Sequence, residues 1–530
     1  MPSTAPSPTE TAHPVERAPA ARPLLPLRFA LLAALLGGVI LDLAYPSVGW
    51  WPAAFIAIAL ALVSLIGRSA RGALGIGLVF GAAFFPLHLV WVAEFLGPLP
   101  WVALSGLQAA LFAAGSVPIT LAYRWAHRFP RRSRWALTAL LVGGAWTLRE
   151  IAMGSWPYTG FPWARIGLSQ ASGPLADLAS WMGIGGLSLL IVGLCAAAIE
   201  AARDGAFRSL WTSASLAGAL AALVLVPPFP TTPSGSLRIG WVQANGPSAY
   251  FDNRAAGDIL RAQLAATEPL LGAPMDLLVW PEGSVDSDPL NTPATAAILD
   301  ETVRRAGAPL LVNAATERDG STYNTSLLWT GKKAPQPHDK ANPVPFGEYV
   351  PDRWLYETIA PDLIGMIQRE YAPGNNAPVV ALDDRTLGLA ICFDVIYDDV
   401  IRAGALGGAQ AYVFQTNNAD FRGTDENLQQ LAIARMRAIE TGRTVVNVST
   451  TGTSQVIGAD GRVIDEVPAA EAAARITTVP LHTGVTAGVL LGPWITGVAV
   501  AGSVATLLLL PLIPRLPAVL ACRDREWRAS

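Results

Sequence analysis

The sequence predicts two structural classes in one chain: a polytopic α-helical membrane domain of about eight transmembrane helices, and an extracytoplasmic α/β domain. Three observations predict this. Hydrophobic residues make up 52% of the 530 residues and charged residues only 15%, against about a quarter charged in soluble proteins. Eight apolar runs approach the roughly 20 residues that a bilayer requires. Between the seventh and the eighth, residues 237–480 change to short strand-like runs separated by helical stretches, the pattern of an α/β fold.

Taken in order, residues 1–24 are rich in Pro, Ala, Ser and Thr and are expected to be a disordered tail. This stretch is too long and polar to introduce an ordinary cleaved signal peptide. Seven apolar runs then fill residues 25–229: about Leu25 to Leu43, Trp51 to Ile66, Ala73 to Leu96, Trp101 to Tyr123, Trp135 to Ile151, Gly183 to Ala202 and Leu210 to Pro228. The eighth, about Val485 to Leu512, lies in residues 482–514, and 515–530 form a polar tail. Arginines mark alternate loops: Arg17, Arg22 and Arg28 before the first run, Arg68 and Arg71 after the second, Arg124 to Arg134 after the fourth, Arg203 and Arg208 after the sixth, and Arg515 to Arg528 after the eighth. Positive charge stays inside, so both termini are expected in the cytoplasm and residues 230–481 outside.

Within the α/β region, strands are expected at Leu237 to Val242, Leu277 to Trp280, Leu310 to Ala314, Thr325 to Trp329, Leu387 to Ile391, Tyr412 to Gln415, Thr444 to Val448 and Gln455 to Ile457. Helical stretches are Arg254 to Thr267, Pro293 to Arg305 and Glu426 to Glu440. In the last, Leu428, Leu431, Ile433, Met436 and Ile439 fall near one face, as in a helix packed on a sheet. Ala459-Asp-Gly-Arg462 is a hairpin turn signal.

Chemistry concentrates at strand ends. Leu387 to Ile391 delivers Cys392, and a nucleophilic cysteine needs a base and a nearby positive charge. Glu282 follows Leu277 to Trp280, and Lys340 lies in His338-Asp-Lys-Ala-Asn-Pro-Val-Pro-Phe-Gly-Glu348. Singly, each has a bland explanation: a buried thiol, a surface turn, a solvated lysine. Cys195 sits in an apolar run and Cys522 in the tail, so they read as packing and solvent; no disulfide or zinc spacing is present. A Cys-His pair would have to recruit His338, a weaker arrangement than Glu282 with Lys340. No basic, aromatic-interleaved patch suggests nucleic acid. The aromatic segment 155–170 reads either as a membrane-interface anchor or as a lipid-facing element beside the site.

Glutamate, lysine and cysteine in this chain order resemble the Glu-Lys-Cys triad of the nitrilase, or carbon-nitrogen hydrolase, superfamily. With the helices on either side, the chain resembles the apolipoprotein N-acyltransferases of bacteria. The motifs are Gly160-Phe-Pro-Trp163, Val242-Gln-Ala-Asn245, Val279-Trp-Pro-Glu282, Tyr323-Asn324-Thr325, Pro345-Phe-Gly-Glu-Tyr-Val-Pro351, Ile391-Cys392 and Ala434-Arg-Met-Arg-Ala438.

The resemblance implies a four-layer αββα nitrilase-like fold in a bacterial inner-membrane enzyme, with Glu282, Lys340 and Cys392 catalytic. It implies a phospholipid acyl donor, a Cys392 thioester, ping-pong kinetics and a diacylglyceryl-apolipoprotein acceptor. Glu348, Asp394, Asn324 and the Phe393 backbone N–H would support the site, and Phe251, Trp163, Trp354 and Asn417 would meet substrate. A monomer is expected, and no cofactor or metal is called for. Apolar residues between Trp354 and Ile367 would form a mobile lipid entrance. Two departures stand out: Cys392-Phe393-Asp394 replaces Cys-Tyr-Glu, and Asn417-Asn-Ala-Asp420-Phe421 replaces Asn-Asp-Ala-Trp-Phe, which predicts a missing or moved aromatic lid contact. The rivals are a membrane-anchored amidase using water as acceptor and a transporter, which would need polar groups in the spans; these are scarce, with His88 and Asp42 the candidates.

Overall fold

The computed structural model describes residues 22–130 and 133–512. Most of the N-terminal tail, the C-terminal tail with Cys522, and Arg131 and Arg132 lie outside the described residues.

Apolar helices occur at Leu27–Asp42, Pro52–Leu65, Ala70–His88, Pro98–Trp125, Arg134–Met153, Ala179–Arg203, Leu210–Val224 and Ala487–Leu509. Among the described residues, five are long and apolar enough to cross a membrane: those beginning near Ala70, Pro98, Arg134, Ala179 and Ala487. The helices Leu27–Asp42, Pro52–Leu65 and Leu210–Val224 have 16, 14 and 15 residues. At 1.5 Å per residue they reach about 21–24 Å, short of the roughly 30 Å hydrocarbon core.

Two expected helices are interrupted. The run Ala73 to Leu96 stops at His88 and resumes as the short helix Val92–Leu96. Pro86 occupies the last turn before the stop, where its missing N–H and its ring weaken the helix. The helix expected from Gly183 starts earlier, at Ala179, and Gly183 itself breaks it with φ 72°. That conformation suits glycine and frees the Ile184 N–H, which donates to Glu440 Oε1 at 3.0 Å. Close packing also uses small residues: a Cβ at Gly77 would lie 2.3 Å from Ser116 Oγ, so helices Ala70–His88 and Pro98–Trp125 can touch there.

The α/β domain has twelve strands. They are β1 Thr232–Gln243, β2 Leu277–Val279, β3 Leu310–Arg318, β4 Ser321–Trp329, β5 Gln336–Asp339, β6 Val379–Leu382, β7 Arg385–Ile391, β8 Ala411–Thr416, β9 Val445–Ser449, β10 Ser454–Ile457, β11 Val463–Val467 and β12 Ala473–Thr483. Two six-stranded sheets form, ordered β12-β1-β2-β3-β4-β5 and β11-β10-β9-β8-β7-β6. The central pairs β1-β2, β2-β3, β7-β8 and β8-β9 are parallel. Such strands are buried on both faces and read as continuous apolar runs, which is why Leu277 to Val279 and Leu387 to Ile391 are visible in the sequence. The hairpin over Ala459 to Arg462 forms as expected, with Gly458 N donating to Arg462 O at 2.8 Å.

One apolar core lies between the sheets: Ile239, Trp241, Leu277, Val279 and Leu311 meet Leu387, Leu389, Val413, Val446 and Val448. Helices Asp258–Thr267 and Pro293–Ala306 cover the outer face of the first sheet through Leu260 and Leu299. Helices Asp398–Leu406 and Glu426–Thr441 cover the second, and their buried residues Ile401, Ile433 and Met436 belong to the same apolar cluster as the membrane helices. The result is an αββα sandwich with one helical layer seated on the membrane domain.

Candidate active site

Three strand ends, one strand interior and one loop deliver the candidate residues. Glu282 follows β2, Asn324 lies in β4, Lys340 follows β5, and Cys392 follows β7 at φ 47°. A non-glycine residue in the left-handed region is strained and recurs at functional sites.

Glu282, Asn324 and Lys340 are all at most 6% exposed. The Lys340 ammonium donates to Glu282 Oε1 at 3.2 Å and to Glu348 Oε1 at 2.9 Å. Asn324 Nδ2 bridges the same carboxylates, at 2.7 Å to Glu282 and 3.1 Å to Glu348. Glu348 Oε2 also accepts from the Val344 N–H at 2.7 Å, so this carboxylate both pairs with the lysine and pins its loop. The Lys340 backbone is fixed too: its N–H donates to Asn324 O, and its C=O accepts from the Gly374 N–H, each at 2.8 Å.

Asp394 is fully buried and tightens the same loop from the nucleophile's side. Its carboxylate accepts from the Ala341 N–H at 3.1 Å and from the Asn342 N–H at 2.8 Å. The shorter acid therefore still reaches the segment that follows Lys340.

Electrostatics define the resting protonation. Burial raises the Glu282 pKa, Lys340 opposes the rise, and Glu348 adds to it. Burial works against the Lys340 charge, yet Glu282 and Glu348 outweigh it and hold the ammonium well above its ordinary range. Burial and then Glu282 push the Cys392 thiol well up, with Lys340 pulling it down. Burial and the neighbouring carboxylates thus favour the neutral thiol of Cys392, while the same carboxylates favour the charged Lys340.

The other candidates fall less uniformly. Trp163, expected to meet lipid, is instead only 3% exposed, with its Nε1–H donating to Gln429 Oε1 at 2.7 Å and its ring stacked on Phe161 at 5.8 Å. Segment 155–170 is correspondingly divided: Trp156 is exposed, while Ile166–Gln170 is buried. Asn417 ties its loop to two others, donating to Ser248 O and accepting from Thr450 Oγ1. In the segment where an aromatic lid contact is expected to be missing or moved, Asp420 accepts from the Tyr250 N–H at 2.8 Å and Phe421 packs edge-on to Trp91 at 5.1 Å. Phe251 lies half-exposed beside Phe95 at 5.9 Å, outside this cluster. The expected entrance loop forms two short helices, Arg353–Ile359 and Pro361–Gly365, with Trp354 73% exposed. Cys195 is buried, and neither ring nitrogen of the buried His338 hydrogen-bonds to Cys392. His88 and Asp42 pair with each other at 3.1 Å.

Sequence reasoning missed a polar group behind the thiol. Gln430, Asn418 and Glu426 are buried next to Cys392, and Gln430 Nε2 lies 3.5 Å from the sulfur. Glu426 and Gln430 form a second stripe on helix Glu426–Thr441, which a purely apolar face does not reveal.

Fold and site together define a carbon-nitrogen-hydrolase-type domain built onto membrane helices. The carbon-nitrogen hydrolase family profile matches residues 238–486, and that of the apolipoprotein N-acyltransferase N-terminal domain matches residues 37–197. An apolipoprotein N-acyltransferase of Mycolicibacterium smegmatis is 30% identical over 533 residues, covering 90% of this chain and 84% of that protein. One from Photobacterium profundum is 25% identical over 478 residues, covering 88% and 92%. The chain belongs to the apolipoprotein N-acyltransferase family. Among solved structures, an amidase from a Nesterenkonia species aligns at TM-score 0.36 and 20% identity over 47% of this chain and 92% of its own. A nitrilase-superfamily protein of Saccharomyces cerevisiae aligns at TM-score 0.36 and 16% identity, over 47% and 91%.

Proposed function

We propose that this protein is an acyltransferase of the bacterial inner membrane that moves an acyl chain from a phospholipid to the α-amine of a diacylglyceryl-cysteine at a lipoprotein N-terminus. The observation that carries this is the buried Glu282–Lys340–Glu348 cluster set against Cys392, in a domain whose helical layer packs on the membrane helices. Donor and acceptor are both lipid-anchored, so a site held at the membrane surface meets them with little loss of orientation.

In the first half-reaction Glu282 takes the Cys392 proton, and sulfur attacks the phospholipid ester carbonyl. Lys340 and the Phe393 N–H stabilise the oxyanion. The carbon–oxygen bond breaks, the lysophospholipid oxygen takes the proton from Glu282, and a thioester remains. In the second, the amine attacks that thioester, Glu282 accepts its proton, and the amide leaves. Kinetics are ping-pong. The catalytic domain lies on the extracytoplasmic side with both termini inside, all eight apolar helices embedded, and the domains divide near residues 230 and 482. The chain works as a monomer without cofactor.

Intact mass spectrometry after incubation with phosphatidylethanolamine vesicles, beside Cys392→Ala, tests this. A hydroxylamine-labile acyl adduct on the parent alone is expected. Turnover to free fatty acid with no acceptor amine present would instead make water the second nucleophile and overturn the transferase assignment.

A further inference from the structure

Neighbouring residues at the start of helix Glu426–Thr441 serve different partners. Gln429 Oε1 accepts the indole N–H groups of Trp91, at 3.1 Å, and Trp163, at 2.7 Å, in the membrane domain. Gln430 belongs to the thiol: its Nε2 stands 3.5 Å from Cys392 Sγ.

A chain of hydrogen bonds holds that amide. Gln430 Oε1 accepts from Asn418 Nδ2 at 2.9 Å, and the same nitrogen donates its other proton to Glu426 Oε2 at 2.7 Å. Asn418 Oδ1 in turn accepts from Ser449 Oγ at 2.6 Å, so one continuous chain of bonds runs from Ser449 through Asn418 to Gln430. All three side chains are at most 3% exposed, so water does not compete for these bonds. The N–H of Gln430 is left facing sulfur.

We propose that Gln430 is a second catalytic donor, one that binds the sulfur itself while Lys340 serves the carboxylates and the oxyanion. This rests on the acyl-transfer reading of Cys392. A donor on sulfur favours the thiolate over the thiol, and a thiolate arises twice. It forms when Glu282 removes the proton before attack on the ester. It forms again when the amine nitrogen bonds to the thioester carbon, the carbon–sulfur bond breaks and its electron pair goes to sulfur, while the amine proton passes to Glu282 and then back to the thiolate. Gln430 is therefore required in both half-reactions, unlike a group that only cradles one substrate. Glu426 completes the arrangement as an acceptor for Asn418; burial lifts its pKa to about 8, which keeps it uncharged at neutral pH. An ionised Glu426 would push the thiol further up, beside Glu282 and Glu348.

The test uses the full chain in detergent, with Gln430→Leu and the isosteric Gln430→Glu, each checked by thermal melting. Two readouts are taken: the pH profile of iodoacetamide alkylation at Cys392, located by peptide mass spectrometry, and the rates of acyl-enzyme formation and of its discharge to an amine. In Gln430→Leu the alkylation profile is expected to move up by about one pH unit, and both rates to fall roughly 10- to 100-fold, the loss of one hydrogen bond to a charged group. Gln430→Glu covers the case in which leucine unfolds the chain, and its profile is expected to move up at least as far. Slower turnover with an unshifted alkylation profile would make Gln430 a packing residue and overturn the proposal. Absence of an acyl adduct on the parent protein would fail the acyl-transfer reading, whereas the alkylation profile still decides whether Gln430 binds sulfur.

Discussion

Arg165 and Asp398 form a bidentate pair: Nη1 and Nη2 donate to the two carboxylate oxygens at 2.7 and 2.8 Å. Arg165 belongs to the membrane-side segment 155–170, and Asp398 opens the helix that follows the nucleophile turn. Arg437, from the helix beneath Cys392, reaches the same carboxylate at 2.8 Å. One acid thus locks three segments around the site.

This pair sets the first prediction. The Asp398 side chain is half-exposed, and Arg165 and Arg437 hold its carboxyl well below the usual range. A depressed folded-state pKa contributes stability above the unfolded value of about 3.9 and loses it as pH falls below that value. Asp398→Asn should lower the melting temperature by a few degrees at pH 7, and the gap should close below about pH 4. A constant gap across that range, followed by tryptophan fluorescence, would show that the charge is not what matters.

Lys340→Met leaves Glu282 and Glu348 facing each other without a cation. Removing one partner of a buried pair typically costs about 3–5 kcal/mol of stability, and losing an oxyanion donor about 100- to 1000-fold in rate. Acyl-enzyme formation should fall by at least that factor. Lys340→Arg should not restore it, because a planar fork does not replace a point charge in this space. Stopped incubations read by intact mass measure both.

On the proposed mechanism, the acid limb of the pH profile belongs to Glu282. A base must be ionised, so acylation should be lost as pH falls through a pKa raised above the ordinary glutamate value of about 4.3 by burial. Asn324 stabilises the ionised form through its 2.7 Å hydrogen bond. Asn324→Leu should therefore move the limb further toward neutrality and slow acylation about 10-fold at pH 7. An unmoved limb with a slower rate would make Asn324 a spacer only.

Exposed Trp354 and its neighbour Leu355 lead to a prediction about access. Replacing both with serine should slow acylation from vesicles and leave acylation from a water-soluble short-chain thioester unchanged. Equal slowing with both donors would remove the lipid-entrance role.

Much of this site was legible because parallel strands are buried on both faces. Leu277 to Val279 and Leu387 to Ile391 are unbroken apolar runs, and the residues that follow them are Glu282 and Cys392 within a few positions. Three strands escaped notice for the opposite reason. Gln336–Asp339 is a polar edge, Val379–Leu382 is four residues long, and Ala473–Thr483 alternates and contains Pro480. The polar network behind the thiol was hidden by the helix pattern. Leu431, Ile433, Met436 and Ile439 declare one buried face, and nothing in their spacing tells that Glu426, Gln430, Arg437 and Glu440 are buried as well. Those polar residues are satisfied by partners distant in sequence, such as Val395 O and Ile184 N, which only tertiary structure supplies.

Helix Glu426–Thr441 has sheet on one side and membrane-domain residues on the other, with Gln429 gripping two indoles from the segments that link the membrane helices. A soluble enzyme can finish this layer with charged residues; here that outer surface is already occupied. The catalytic unit is consequently inseparable from its anchor. Cutting the chain near residues 230 and 482 would yield a sticky fragment with a displaced Gln430, so a soluble truncation of this protein should aggregate or lose its reactive thiol, and any inhibitor screen must be run on the intact membrane protein.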